Sequence, residues 1–220
     1  MIVSLNTCQK GCSRWVARSR IGAAFHGAGP FGMAETLTAV RVAAPSAIAD
    51  EYVATVSATA LASNQPTLEF YDTLHGVGGI FSGPDWAILV GVKDMQDIAA
   101  SVLASWPQDL ITLFVAGRGV WPTAAALSRF AFEAAVRRCI AHELGHALIY
   151  RGAENPFEPD DEAGADFYAG RLDAALGRTC ELGQMFFWSI GCRGPSCTHP
   201  SPDVRAAAYA AGYEQQLAAA

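Results

Sequence analysis

From Pro45 onward the apolar and polar positions fall into regular blocks. Ser46 to Ser63 repeats apolar residues at helical spacing and is ended by Asn64 and Pro66, which predicts a helix. Leu68–Thr73 and Trp86–Val92 read as strands joined by a glycine-rich connection, HGVGGIFSGPD. Asp94 is placed to cap a helix reaching about Ser105, and Leu110–Ala116 reads as a third strand, apolar enough to be buried on both faces. Thr123 then caps a long helix that runs through Tyr150 and stops at Gly152. After a proline-bearing loop over 153–160, Asp160 or Asp161 starts a helix ending near Gly177, followed by helices over about 179–189 and 202–218. The predicted class is α+β, with a small mixed sheet leading into an all-helical second half.

Residues 1–40, with Gly22, Gly27, Gly29, Pro30 and Gly32, show no sustained periodicity and are expected to be flexible or irregular. Residues 41–220 are expected to form one domain.

Composition narrows the picture. The chain has 220 residues, half of them apolar and 16% charged, which is the makeup of a globular protein with a buried core. A net charge of -6 lacks the basic balance that phosphate neutralisation demands, so no nucleic-acid partner is expected. No apolar run reaches the roughly 18 residues of a membrane span, and the N-terminus lacks the order of regions of a signal peptide; a cytoplasmic location is expected. Six cysteines, at 8, 12, 139, 180, 192 and 197, are mostly read as free thiols. Alternatives are a Cys192–Cys197 disulfide, or a loosely spaced four-cysteine zinc site from Cys8, Cys12, Cys192 and Cys197. The glycine-rich connection lacks the spacing and following helix of a phosphate loop, which argues against nucleotide binding.

The chemistry concentrates in His142-Glu143-Leu144-Gly145-His146. On a helix, positions i and i+4 share a face, so both imidazoles can reach one ion at about 2.0–2.1 Å. Glu143 is offset from that face and suits a general base acting on a water. Such a site needs a third protein ligand and an open position. A third histidine at the metzincin spacing is excluded, because position 149 is Ile and position 152 is Gly. Glu162 and Asp166, again i and i+4, open the next helix. Glu162 is expected as the third ligand and Asp166 as acceptor for the distal N–H of a ligand histidine. Cys139, three residues before His142, is expected to be a small buried hydrophobe.

Here the chain resembles the gluzincin metallopeptidases, in which HExxH is followed on a second helix by Glu-x-x-x-Asp. The wording E-x-x-A-D is similar to the HtpX-type and CAAX prenyl protease family. So is Thr198-His199-Pro200-Ser201-Pro202-Asp203-Val204-Arg205, which matches that family's His-Pro segment and following arginine. The resemblance covers roughly residues 130–212. It implies a zincin-like fold, one Zn2+ per chain held by His142, His146 and Glu162, and His199 as a donor to the oxyanion. It also places Arg205 beside Asp166 or Glu162. Members of that family are usually membrane-embedded with a longer insertion before the glutamate helix, whereas fifteen residues separate His146 from Glu162 here. A compact soluble relative is therefore expected, and membrane proteolysis and prenylated substrates do not carry over.

The expected function is zinc-dependent hydrolysis of peptide bonds, with Glu143 as general base and His199, or one of Tyr150, Tyr168 and Tyr209, as oxyanion donor. A peptide or protein substrate is expected to add antiparallel to an edge strand from Trp86–Val92 or Leu110–Ala116. Two alternatives stand beside it. One is a regulatory metalloprotease of a single partner protein, similar in outline to ImmA/IrrE-type proteins. The other is a zinc enzyme acting on a small molecule, or a module whose metal is structural. An unliganded Glu143 favours catalysis over a structural metal.

Overall fold

The computed structural model describes residues 2–7, 13–18, 23–28, 34–57, 59–74, 77–191 and 199–220, with side chains from residue 39 onward except at 46 and 47. Cys8, Cys12, Cys192 and Cys197 lie outside the described residues, and with them the disulfide and four-cysteine expectations; so does Thr198 of the His-Pro segment. The protein is mixed α and β, as the pattern predicts.

Where an irregular N-terminal segment was expected, four six-residue strands occur: β1 (Ile2–Thr7), β2 (Ser13–Arg18), β3 (Ala23–Ala28) and β4 (Ala34–Ala39). They form one sheet in the order β2-β1-β3-β4. Runs of six residues with alternations such as Val3-Ser4-Leu5-Asn6 are too short to stand out as periodic, yet they suffice for strands once paired.

The second sheet holds β5 (Arg41–Val42), β6 (Thr67–Tyr71), β7 (Gly79–Ser82) and β8 (Ala87–Gly91) in the order β5-β6-β8-β7. Strands β6 and β8 run parallel, while β5 and β7 flank them antiparallel. All five residues of β8 are buried, consistent with a central strand covered on both faces. Two expectations about the sheet are thereby corrected. Trp86–Val92 supplies a central strand rather than an edge, and the edge on that side is β7, from within the glycine-rich connection. Leu110–Ala116 is not a strand at all. It belongs to helix α3 (Pro107–Arg118), where Pro107 occupies the first turn and Leu110 and Phe114, four apart, are the buried face.

Helix α1 (Ser46–Ser57) is followed by turns up to Ser63. Helix α2 (Val92–Ser105) begins before Asp94, so that residue does not cap it. The Asp94 carboxylate instead accepts hydrogen bonds from the Leu74 backbone N–H and the Thr73 hydroxyl, tying the end of β6 to α2. No single helix among the described residues is long and apolar enough to cross a membrane.

Helix α4 (Ala124–Tyr150) is the axis of the domain. The Thr123 hydroxyl accepts from Ala126 N–H at its start. From Ala134 onward nearly every side chain is buried, because α2, α5, α6, β7 and β8 pack around it. Helix α5 (Asp161–Ala175) is capped by Asp160, whose carboxylate accepts from the N–H groups of Glu162 and Ala163. Helices α6 (Cys180–Ile190) and α7 (Pro202–Ala219) complete the bundle, with α7 lying along α5.

Candidate metal centre

Gly145 lets α4 and α5 meet at backbone distance: a Cβ there would fall 2.6 Å from the Ala165 carbonyl oxygen. That approach carries the acidic first turn of α5 across to the histidines. The Nε2 atoms of His142 and His146 are 3.1 Å apart. Glu162 Oε2 lies 3.3 Å from His142 Nε2, and Oε1 lies 3.6 Å from His146 Nε2. Two donors each about 2.05 Å from a tetrahedral ion stand about 3.3 Å apart, so the three expected ligands already have the mutual spacing of a shared cation. Among the described residues, these three are the group whose ligand atoms converge in this way.

Asp166 is fully buried and accepts from His142 Nδ1 at 2.7 Å. That bond orients the ring so that Nε2 faces Glu162 and His146. Arg205, from α7, clamps the same carboxylate with Nε at 2.7 Å and Nη2 at 2.8 Å, a bidentate pair that holds Asp166 from behind. Its Nη2 also stands 3.8 Å from Glu162 Oε2. Asp166 and Arg205 thus occupy the positions expected of them. His199 Nε2 lies 3.6 Å from Glu162 Oε2, at the half-exposed mouth of the site. Tyr168 donates to the Glu154 carbonyl and Tyr209 to Asp173, so neither hydroxyl serves this site.

Glu143 is buried beside the ligands, 6% exposed, and its carboxylate accepts from the backbone N–H of Phe81 in β7. Gly79 makes this strand–helix contact possible, since a Cβ there would fall 2.2 Å from Cys139 Sγ and 3.1 Å from Glu143 Oε1. Cys139 is buried in that contact, as expected of a small hydrophobe. Gly78 O accepts from Gly91 N–H, so Gly79 and Phe81 sit at the alternate positions, whose backbone polar groups point away from β8. Sequence reasoning missed Gly79 and Phe81. The doublet Gly78-Gly79 inside an apolar stretch was the available signal of a close backbone approach.

The electrostatics fit a divalent cation. Three buried or half-buried carboxylates, Glu143, Glu162 and Asp166, face one guanidinium, Arg205, leaving a balance of two negative charges with neutral histidines. Glu162 Oε2 is buried yet receives no hydrogen bond of good geometry from any described residue. Burial works against ionised Glu162, but His142, His146 and His199 outweigh it and hold its carboxyl well below the ordinary range. Without metal, two protons compensate. Burial disfavours charge on His142, yet Asp166 and Glu162 override it and raise its pKa to about 10. Burial, reinforced by Glu162, pushes Glu143 up to about 7. His146 is driven down to about 4 by burial and by His142, so it keeps a lone pair.

No family model matches the chain, and neither a curated protein nor a solved structure does. The functional reading therefore rests on the residues themselves.

Proposed function

We propose that the protein is a zinc metallopeptidase of gluzincin type, a compact zincin-like relative of the HtpX and CAAX prenyl protease family. The observation that carries this reading is the convergence of His142, His146 and the unsatisfied Glu162 Oε2, with an unliganded carboxylate, Glu143, alongside. A purely structural metal has no use for that fourth group.

His142, His146 and Glu162 would hold one zinc ion. Bound there, it supplies Lewis acidity, polarising a carbonyl and acidifying a water. Glu143 takes the proton of the attacking water and passes it to the leaving amine, a shuttle suited to a carboxyl whose pKa burial lifts toward neutrality. The Phe81 N–H restrains Glu143 during both transfers. His199, at the mouth, is placed to donate to the carbonyl oxygen as negative charge develops there. Asp166 and Arg205 do not touch the substrate; they keep His142 in the right tautomer and orientation. An extended peptide lies along β7 beside Glu143, with the outward carbonyls of Gly79 and Phe81 as its acceptors, since their N–H groups are held by the Val77 carbonyl and by Glu143. The reading includes a cytoplasmic setting, which suits the free thiols Cys139 and Cys180.

The test is elemental analysis of wild type, Glu143→Ala and Glu162→Ala, with cleavage of a mixed peptide library alongside. Zinc near one per chain in wild type and Glu143→Ala, lost in Glu162→Ala, with cleavage by wild type alone, is the expected result. Zinc retained in Glu162→Ala removes the third ligand and the gluzincin assignment. Bound zinc without cleavage of any peptide redirects the assignment to a small-molecule substrate or one dedicated protein target.

A further inference from the structure

Tyr150 lies four residues beyond His146 and eight beyond His142, on the same face of α4. It is 59% exposed, although it belongs to an aromatic cluster. Its ring meets Phe81 at 5.7 Å and Trp86 at 6.4 Å between centroids, and Phe81 meets Trp86 edge-on at 5.6 Å. Trp86 holds a backbone conformation rare for a bulky side chain, with φ +50°. Its indole is pinned by Nε1–H donating to Asn64 O at 3.1 Å and by the Arg151 guanidinium 5.3 Å over the ring. That conformation closes the turn from Gly83 to Trp86 that joins β7 to β8, where Trp86 N–H donates to the Gly83 carbonyl. Gly83, one residue past β7, packs directly on the Tyr150 ring, so strand, turn and shelf form one surface.

β7 therefore links two features. Phe81 N–H grips Glu143, and two residues on, about 7 Å along the strand, the chain reaches Tyr150. Because β7 runs from Gly79 toward Gly83, an antiparallel partner, the commoner pairing, lays its N-terminal half over the shelf. We infer that Tyr150, backed by Phe81 and Trp86, is the specificity determinant of this site. It receives an aromatic or large aliphatic side chain within two residues before the scissile bond. This rests on the peptidase reading and adds the substrate class to it. The exposed ring offers a face and an edge for such a side chain, while Phe81 and Trp86 keep it from turning away.

The test uses the full-length, zinc-loaded protein and matched peptides carrying Phe or Ala at the first and second positions before, and after, the scissile bond. Wild type is expected to favour Phe before the bond by about tenfold in kcat/KM. Tyr150→Ala should bring that ratio to within about twofold of unity, mainly through KM, with zinc content unchanged. Tyr150→Phe should restore it, since the ring rather than the hydroxyl makes the contact. Peptide cleavage without this preference, a preference confined to positions after the bond, or a preference surviving in Tyr150→Ala overturns the shelf and leaves the peptidase reading intact. A loss of kcat in Tyr150→Phe would make the hydroxyl an oxyanion donor and overturn the shelf as well. Failure of wild type to cleave any peptide overturns the peptidase reading, and the shelf with it.

Discussion

Two clusters of buried charge lie along the same interface between α4 and α5, and they are built differently. The first uses Arg138 and Asp173; the second, one turn on along α4 and two turns back along α5, uses His142 and Asp166. Asp173 and Asp166 are both fully buried. Asp173 is answered on all sides by the protein: Arg178 Nη1 at 2.7 Å, Arg138 Nη2 at 3.2 Å and the Tyr209 hydroxyl at 2.8 Å. Arg178 and Arg137 continue to Glu51, and Arg137 reaches Glu133, so three guanidiniums meet three carboxylates. The Arg138 Nε–H alone lacks a partner there. Around Asp166 the balance stays open by two charges, and the two oxygens of Glu162 face the ring nitrogens of His142 and His146. Burial of charge is common to both clusters; what distinguishes the second is that possible ligand atoms of three residues converge on one another.

The sharpest way to break this comparison is at the group with no structural counterpart in the closed cluster. Glu143→Gln should keep zinc near one per chain and lower kcat/KM by about 10²–10⁴-fold, the usual weight of a general base, measured on a peptide that wild type cleaves. In the closed cluster, Asp173→Ala leaves Arg138 buried without its carboxylate and Arg178 with Glu51 alone, and should cost about 3–5 kcal/mol in denaturant unfolding, while zinc affinity stays within about twofold. Asp166→Ala should show the opposite emphasis, weakening zinc by about 10–100-fold in a competition titration with a chelator. Similar effects of the two aspartate variants on zinc would erase the distinction.

The smallest effect is a count of protons. A group must be unprotonated to make way for the cation or to lie ionised beside it. His142 carries a proton up to about pH 10 and Glu143 up to about pH 7 in the metal-free protein, whereas His146 is already neutral above about pH 4. Zinc uptake at pH 6 should therefore release about two protons, falling toward one at pH 8 as Glu143 ionises beforehand. Calorimetry in buffers of different ionisation enthalpy reads that number. Glu143→Gln should release about one at both pH values.

Much of the site was legible because helices convert spacing into direction. His142 and His146, Glu162 and Asp166 each stand four apart, and the turn of the helix does the rest. Arg205 entered through its place in the His-Pro segment, and its position on Asp166 agrees with that. The sheet was less legible. Leu110–Ala116 has a composition that suits a buried strand, and only the first-turn proline and the pairing of Leu110 with Phe114 mark it as helix. Gly79–Ser82 is four residues in a glycine-rich stretch, visible as a strand only through its pairing with Ala87–Gly91. The Arg138–Asp173 cluster left no trace in the pattern, since isolated charges within helices look like solvated faces until the neighbours are known.

Gly145 gives one further consequence. Because α4 and α5 touch main chain to main chain at Gly145 and Ala165, the gap between the histidines and Glu162 is a gauge whose starting width is set by backbone contact, with side-chain rotamers making the fine adjustment. An ion the size of zinc fits that gauge. Calcium, with oxygen distances of about 2.3–2.6 Å and six or more ligands, asks for a wider and more oxygen-rich site than two imidazoles and one carboxylate supply. The smallest residue in the motif thus sets how near the two halves of the candidate ligand set stand, without belonging to it.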